Sequence, residues 1–297
     1  MARPARVSAG PAGPAGPAGS PGSAGPAGPA GRIQPQSVRS RLRERLRERA
    51  RVLPAGPPLL GTFVKLAAVD VLELCRGFDF VVVDLEHSTL TEAEAIALVR
   101  HADLLGLPAL VRIPAVDAAL INRLLENGAT GIQLSMLQTA AQTAALIAAT
   151  RFAPGGTRSI SLANRVAGYG RTALPDFLEA ERLGPPVLVG QIETPVAEPL
   201  AEVLAGLDVA FVGTTDLAVS LGSAPGDAAL ADVIDAVRQA ARTAGAGFGG
   251  WAPSRAQAGE LGPVDYLMVG SDLQILATGL RAAALPDPAA QDPGGQA

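Results

Sequence analysis

The sequence predicts an α/β fold, and within that class a (β/α)8 TIM barrel. Short apolar runs alternate along the chain with longer segments whose apolar residues recur at helical spacing. Most of the short runs are continuously apolar, as expected of parallel strands covered on both faces. Eight of them fit into roughly 250 residues, the usual size of a barrel that forms one domain. No GxGxxG or Walker motif follows any of them, which disfavours a nucleotide-binding doubly wound sheet.

The first 31 residues differ in composition from the rest of the chain. They contain little besides Ala, Gly, Pro and Ser, and glycine stands at every third position from Gly10 to Ile33. This is the period of collagen, but the stretch is short and offers little apolar surface to bury. We therefore expect residues 1–35 to form a disordered extension, residues 36–285 the barrel, and residues 286–297 a flexible tail.

Eight predicted strands follow the extension. Each is a run of apolar residues, mostly β-branched or aromatic, and FDFVVVD at 78–84 is the clearest of them. The seventh run is rich in glycine and is the least regular. In chain order the predicted strands are Leu59–Lys65, Phe78–Asp84, Pro108–Arg112, Thr130–Met136, Pro186–Glu193, Asp208–Gly213, Gly245–Gly250 and Val264–Val269.

A helix is expected after each strand, because apolar residues recur there at three- and four-residue spacing. Thr91 stands three residues before Glu94, the spacing of a capping box, which indicates where one helix begins. Residues 151–171 lack the spacing and predict an irregular segment. The basic residues at 39–51, interleaved with Glu44 and Glu48, predict a solvated amphipathic helix. The other predicted helices are Val69–Arg76, Thr91–Leu105, Asp117–Glu126, Ala140–Thr150, Pro195–Leu204, Ala228–Ala244 and Ser271–Ala284.

Charge and cysteine content exclude several classes of protein. The chain has 24 basic and 28 acidic residues, and its net charge of −4 disfavours general binding to nucleic acid or an anionic membrane. The single cysteine, Cys75, cannot form an intrachain disulfide and fits a reducing compartment. There is no run of 18 apolar residues and no signal-peptide pattern. We expect the protein to be cytoplasmic.

Polar side chains stand where several predicted strands end, and barrels place their active sites at these ends. A pair of carboxylates there suits a hard divalent cation such as Mg2+ or Mn2+. A histidine beside carboxylates can act as a general base, and an arginine can stabilise an oxyanion. Each could instead be structural, as an ion-pair partner or as a carboxylate at a helix N-terminus. The residues are Asp84, Glu86 and His87 after the second strand, Arg112 at the third, Gln191 and Glu193 at the fifth, and Thr214, Thr215 and Asp216 after the sixth.

In the segments that contain these residues, the chain resembles the HpcH/HpaI aldolase family of metal-dependent aldolases. The resemblance spans roughly residues 56–283, and it is the combination of segments that is specific. It implies a (β/α)8 barrel, commonly a hexamer in which neighbouring subunits exchange the last helix. The matching segments are GTFVKL (61–66), FDFVVVDLEH (78–87), VRIP (111–114), LLENGATGIQL (124–134), QIET (191–194) and GTTDL (213–217).

The resemblance also implies which residues bind the metal and the substrate. Glu193 and Asp216 match the ligands of a divalent cation, Mg2+, Mn2+ or Co2+. Gln191, Thr215 and Asp216 match the positions that hold a 2-oxo acid. The family pattern has Pro and Ala where this chain has Thr214 and Thr215, so the choice of substrate stays open.

The catalytic residues implied by the resemblance lie after the second and third strands. His87 matches the catalytic base, with Asp84 beside it, and Arg112 matches the residue that contacts the substrate and stabilises its enolate. Glu126 matches a carboxylate, usually Asp, that raises the basicity of a catalytic histidine across a subunit interface. Glutamate is longer by one methylene, which leaves its reach to His87 open.

The implied function is a carbon–carbon lyase that joins or cleaves a pyruvate-type 2-oxo acid and an aldehyde, acting as a homo-oligomer on small molecules. Three alternatives remain: decarboxylation of an oxaloacetate-type acid, cleavage of a thioester-linked carbon–carbon bond, and a non-catalytic barrel. A Schiff-base aldolase is disfavoured because no strand end other than that of the first predicted strand carries a lysine. That lysine, Lys65, is the only one in the chain and is expected to be a strand-end or rim residue with a structural role. Trp251 either lines a pocket or packs beneath a loop.

Overall fold

The computed structural model describes residues 35–51, 56–224 and 227–284. Within them, eight parallel strands form a closed barrel in which each strand pairs with the next and the last pairs with the first, so the predicted (β/α)8 fold is confirmed. The predicted extension and tail lie outside the described residues, apart from Pro35, and stay predictions. The strands are β1 (Leu59–Val64), β2 (Phe80–Asp84), β3 (Ala109–Ile113), β4 (Gly131–Leu134), β5 (Val187–Ile192), β6 (Val209–Val212), β7 (Gly247–Ala252) and β8 (Tyr266–Ser271).

Ten α-helices surround the barrel in the described ranges. None of them has both the length and the apolar composition needed to cross a membrane. They are α1 (Pro35–Arg51), α2 (Asp70–Leu74), α3 (Glu92–Leu105), α4 (Ala118–Glu126), α5 (Ala140–Thr150), α6 (Leu174–Leu183), α7 (Leu200–Val203), α8 (Thr214–Leu221), α9 (Ala228–Thr243) and α10 (Asp272–Ala284).

Three predictions about these helices were wrong. Helices α6 and α8 were not predicted, because neither begins with a capping side chain that the sequence could have shown. The helix expected at 195–204 is only the four residues of α7, since Pro199 keeps the preceding residue out of the helical conformation. After β7 the expected helix is replaced by a 3-10 helix, Arg255–Leu261.

The interior of the barrel is filled by aromatic rings below the strand ends. Phe80 stacks on Tyr266 with ring centroids 4.3 Å apart, and Phe211 meets the same ring edge-on at 6.0 Å. Gly61 provides the space for this stack, because a Cβ there would lie 2.1 Å from the Phe80 ring. The barrel interior is therefore a packed core, and in barrels of this kind the ligand sites lie at the rim formed by the strand ends and their loops.

One face of α1 is buried against the amino ends of the strands and the other is exposed, so the predicted amphipathic helix is confirmed, but Arg39 and Arg43 are buried and not solvated. Leu42 and Leu46 join the cluster of buried residues inside the barrel. Arg39 is 0% exposed and donates to one oxygen of Glu181 at 2.8 Å, while the other oxygen accepts from Arg158 at 2.9 Å. The sequence is misleading here because long charged side chains on this helix point inward and find their partners in distant elements.

Candidate active site

A cavity of about 410 Å³ opens at the carboxyl ends of the strands. Its lining includes six of the predicted site residues, namely His87, Arg112, Gln191, Thr214, Thr215 and Asp216. Two other cavities are larger, about 440 and 620 Å³, but neither is lined by Asp216, and Glu193 lines none of the three. The predicted side chains, and not the volume, therefore identify the site. The remaining lining residues are Phe63, Lys65, Phe211, Gly213, Trp251, Ser271, Leu273 and Gln274.

Asp84 and Arg112 form a buried pair beside this cavity. Arg112 donates from Nε and Nη2 to the two oxygens of Asp84 at 2.8 and 2.6 Å, a bidentate arrangement. The two residues are register partners at the ends of β2 and β3, so the sheet itself brings them together. Arg112 therefore forms the ion pair that was considered as its structural role. Its guanidinium also lines the cavity and lies over the ring of Phe63.

The groups around Asp84 lower the pKa of its carboxyl and so favour its charged form. Burial raises the pKa of this carboxyl, but hydrogen bonds and charge from Arg112, with the N–H groups of His87 and Glu86, outweigh burial and bring it to about 2. A carboxyl whose folded pKa is lowered stabilises the fold at neutral pH, and that contribution is lost as the pH falls toward about 2. Asp84 is fully buried, and its two hydrogen bonds fix the orientation of the Arg112 guanidinium.

His87 stands at the mouth of the cavity with its side chain 60% exposed. Its Nε2 lies 3.9 Å from Oε2 of Glu86. That oxygen is buried, has no hydrogen bond within the described residues, and lies 3.2 Å from Nη1 of Arg112. The N–H groups of both Glu86 and His87 donate to Asp84, at 3.1 and 3.2 Å, which fixes the loop that carries them.

A chain of buried hydrogen bonds orients Glu193. Tyr266 donates to Gln133 at 3.2 Å, Gln133 donates to Gln191 at 2.5 Å, and Gln191 donates to Oε1 of Glu193 at 2.6 Å. The other oxygen of Glu193 accepts the N–H of Met136 at 2.7 Å. Met136 has a positive φ of 50°, a strained conformation that aims this N–H at the carboxylate. Gln133 and Tyr266 could not be assigned from the sequence, because each is an isolated polar group in an apolar strand.

The electrostatics around Glu193 suit a divalent cation. Burial raises the pKa of this carboxyl, and the charges of Glu86 and Asp216 raise it further. Gly213 leaves the space open, since a Cβ there would lie 2.7 Å from Cγ of Glu193. A hard cation relieves such repulsion between carboxylates and takes oxygen ligands. The described residues hold no group of three acidic, His or Cys side chains already gathered at one point. Water or substrate oxygens would therefore complete the coordination.

Thr215 and Asp216 reach the cavity from the start of α8. Asp216 is exposed and lies in the first turn of the helix, where the helix dipole favours a carboxylate. Both interpretations of Asp216, as a helix-terminus residue and as part of the site, are therefore compatible with its position.

Lys65, Trp251 and Ser271 also line the cavity, although none of them was assigned a role in the reaction from the sequence. Lys65 directly follows β1 and lines the cavity, which agrees with its predicted position at a strand end or on the rim. Trp251 lines the cavity and donates to the carbonyl of Gly270 at 3.2 Å, which confirms the first of its two alternatives. Ser271 was missed because the predicted eighth strand ended two residues too early, at Val269.

Glu126 is not brought to His87 within one chain. It ends α4, just before β4 begins, and so lies at the opposite end of the barrel from the cavity. Its charge acts on Arg158, in the cluster that anchors α1. Because the predicted role of Glu126 requires a neighbouring subunit, that role stays a prediction.

Comparisons with known proteins agree with this geometry. The sequence profile of the family HpcH/HpaI aldolase/citrate lyase matches residues 59–261. The chain is 34% identical over 255 residues to a hydroxypyruvate/pyruvate aldolase of Paraburkholderia phytofirmans, covering 81% of this chain and 91% of that protein. It is 33% identical to a 4-hydroxy-2-oxovalerate aldolase of Novosphingobium aromaticivorans, covering 57% of this chain and 66% of that protein, just under two thirds. The structure is similar to that of a HpcH/HpaI aldolase/citrate lyase family protein from Burkholderia cenocepacia, with a TM-score of 0.72 at 27% identity, covering 82% of this chain and 97% of the other.

Proposed function

The chain belongs to the HpcH/HpaI aldolase/citrate lyase family and is a carbon–carbon lyase, and from this premise we propose that it is a metal-dependent aldolase for a pyruvate-type 2-oxo acid and an aldehyde. One observation carries the proposal: the buried carboxylate of Glu193 accepts a hydrogen bond from Gln191, which lines the cavity together with Asp216 and Arg112. Forming an enolate requires a cation site, a group that orients the substrate and a fixed positive charge. This cavity supplies all of them.

Glu193 and Asp216 would hold the divalent cation, Mg2+, Mn2+ or Co2+. When bound, the cation supplies a Lewis acid that polarises the ketone of the 2-oxo acid. The amide of Gln191 and the hydroxyl of Thr215 would orient the acid from the same wall. The hydrogen bonds that fix Gln191 and Glu193 mean that little reorganisation is needed when substrate binds.

Arg112 would stabilise the negative charge that develops in the reaction, and His87 would transfer the proton. Cleavage of the bond between C3 and C4 leaves its electron pair on the pyruvate unit as an enolate, and the guanidinium of Arg112 faces that charge. His87 takes the proton of the 4-hydroxyl, whose oxygen becomes that of the aldehyde, and returns a proton in the condensation direction. Asp84 keeps Arg112 in place, and the exposed position of His87 lets its proton exchange with solvent.

The first prediction concerns enolisation, which every aldolase reaction of this kind shares. We expect the protein to exchange the methyl protons of pyruvate with deuterated water when Mn2+ or Mg2+ is present. Treatment with a chelator should slow the exchange by about a hundredfold or more, since the metal contributes several kcal/mol to charge stabilisation. Proton NMR measures the exchange, with metal alone as the control. Equal rates with and without chelator would contradict the metal-enolate scheme.

The alternative reactions would use the same cavity with a different substrate or a different catalytic group. Decarboxylation of an oxaloacetate-type acid would pass through the same enolate, so product analysis with oxaloacetate separates it from aldol cleavage. Cleavage of a thioester-linked substrate has no feature of the described residues in its favour. A Schiff-base route requires a free amine, whereas Nζ of Lys65 is engaged with Asp84 at 3.2 Å and with the carbonyl of His87 at 3.1 Å.

The cytoplasmic location stays a prediction.

We also propose that the protein forms a homo-oligomer, which we expect to be a hexamer. Helix α10 packs mainly against β1 and β8 of its own chain and leaves four apolar side chains 44–61% exposed. Such a row of apolar side chains on one helix is typical of an interface. These side chains are Leu273, Ile275, Leu276 and Leu280.

Charged residues on α10 are therefore expected to break the oligomer. The double variant Leu276→Glu with Leu280→Glu should lower the mass measured by sedimentation to that of a smaller species, because buried glutamates would lack partners. Leu104→Glu is the matched control, since Leu104 is 70% exposed on α3, away from α10. An unchanged mass for the double variant would exclude α10 from the interface.

A further inference from the structure

Two buried polar side chains, Gln133 and Tyr266, lie inside the barrel and do not line the cavity. Both are fully buried, and Tyr266 belongs to the cluster of residues that fills the barrel interior. Its ring contacts those of Phe80 and Phe211, which determines where its hydroxyl lies. An apolar pair would fill this space without the cost of burying polar groups. The presence of an amide and a hydroxyl here therefore calls for a physical reason.

The hydrogen bonds of these side chains run in one direction, toward the cavity. The hydroxyl of Tyr266 donates to Oε1 of Gln133 at 3.2 Å. Nε2 of Gln133 donates to Oε1 of Gln191 at 2.5 Å, and Nε2 of Gln191 donates to Oε1 of Glu193 at 2.6 Å. Burial raises the pKa of the Tyr266 hydroxyl well above its usual value, so this group keeps the proton that it donates. Each amide therefore has a single orientation that satisfies all of its partners.

Either end of the Gln191 amide would fit beside the cavity. The oxygen and the nitrogen of an amide are nearly the same size, so the shape of the cavity wall does not decide between them. In the structure the nitrogen is on this side, because a Cβ at Gly213, which lines the cavity, would lie 3.4 Å from Nε2. One N–H of this nitrogen is bound to Glu193, which leaves the other for an oxygen of a ligand. An amide oxygen in the same place would instead suit a divalent cation.

Gln133 opposes that second orientation of Gln191. Turning the Gln191 amide round would bring its nitrogen against the nitrogen of Gln133, which Tyr266 holds in place, and its oxygen against the carboxylate of Glu193. In the function proposed above, on which this inference rests, Glu193 holds a cation and Gln191 orients the 2-oxo acid. We propose that Gln133 and Tyr266 are positioning residues, which keep the oxygen of Gln191 away from the cation and its N–H toward an oxygen of the 2-oxo acid.

The test removes the two positioning groups one at a time. In Gln133→Met and Tyr266→Phe, the KM for pyruvate in the Mn2+-dependent exchange of methyl protons should rise about tenfold, the typical effect of losing a hydrogen bond to a charged group. The value of kcat should change by less than about threefold, because an interaction that only orients the bound acid acts on KM. The affinity for Mn2+, by calorimetry, should not fall, since the N–H of Met136 still holds Glu193 and a released Gln191 can turn its oxygen to the cation.

The double variant separates positioning from stability. Each single variant leaves a buried polar group without its partner, so urea unfolding should show both to be less stable than the native protein. Gln133→Met with Tyr266→Phe removes the amide and the hydroxyl together and should be more stable than Gln133→Met alone, while the KM stays raised. Tyr169→Phe is the matched control, since it removes an exposed tyrosine hydroxyl that bonds to Arg100, and its KM should be that of the native protein. A KM that recovers together with stability in the double variant would mean that the pair acts only through packing.

Two other results would overturn the proposal. A fall in Mn2+ affinity that matches the rise in KM would show that the pair acts on Glu193 and not on the substrate-binding end of Gln191. An unchanged KM in both single variants would show that Gln191 keeps its orientation unaided. In both cases, exchange by the native protein and its loss with a chelator would leave the proposed function standing. A native protein that exchanges no methyl protons would refute the proposed function and this inference together.

Discussion

Replacement of Glu193 by Ala is expected to lower aldol turnover by about a thousandfold or more, with loss of metal binding as the cause. Glu193 is one of two carboxylates placed to hold the cation, and it is the one whose orientation is fixed on both oxygens. Removing it leaves Asp216 as the remaining proposed ligand. Both the affinity for Mn2+, by calorimetry, and the rise in Tm that Mn2+ produces should therefore be lost.

Matched variants separate the charge of Glu193 from its packing. Glu193→Gln keeps an oxygen that can accept the N–H of Met136 but removes the negative charge, and it should be as inactive as the Ala variant. Glu202→Ala, at an exposed position on α7 of the same loop region, should behave like the native protein. A Glu193→Ala protein that binds metal and turns over substrate normally would show that the metal site lies elsewhere.

Replacement of Glu181 by Ala is expected to destabilise the fold by roughly 3–5 kcal/mol, the usual effect of breaking a buried ion pair. Glu181 is buried between Arg39 and Arg158, with one oxygen bound to each. Burial lowers the pKa of the Arg158 guanidinium to about 10, against the opposing charge of Glu181. Without Glu181, two buried cations would face each other, and α1 would lose one of its contacts with the barrel while that of Arg43 with Asp208 remains.

Urea unfolding followed by circular dichroism measures this effect. The control is Glu179→Ala, two residues away on the same helix and solvent-exposed, for which no measurable change is expected. Replacing Arg39, Arg158 and Glu181 together by apolar residues should cost less than the Glu181 variant alone, because no charge is left without a partner. A Glu181→Ala protein as stable as the native one would mean that water reaches this cluster.

The fold could be predicted from the sequence because its signals are local. Continuous apolar runs such as that of β2, and the capping box at Thr91 that the structure confirms, each depend on a few neighbouring residues. The failures have the same origin. Helices α6 and α8 begin without a capping side chain, and β7 and β8 end two residues later than predicted, which concealed Ser271.

Residue type and strand-end position were sufficient to select His87, Arg112, Gln191 and Asp216, because parallel strands of a barrel must end at one rim. Contacts between distant segments were decided only by the tertiary structure. The bond from Gln133 to Gln191, the N–H of Met136 on Glu193, the ammonium of Lys65 at Asp84 and the burial of Arg39 all join residues far apart in the chain. A sequence pattern specifies which face of an element is apolar. The partner that a buried polar group finds depends on how the closed barrel brings the elements together, and local spacing does not contain that information.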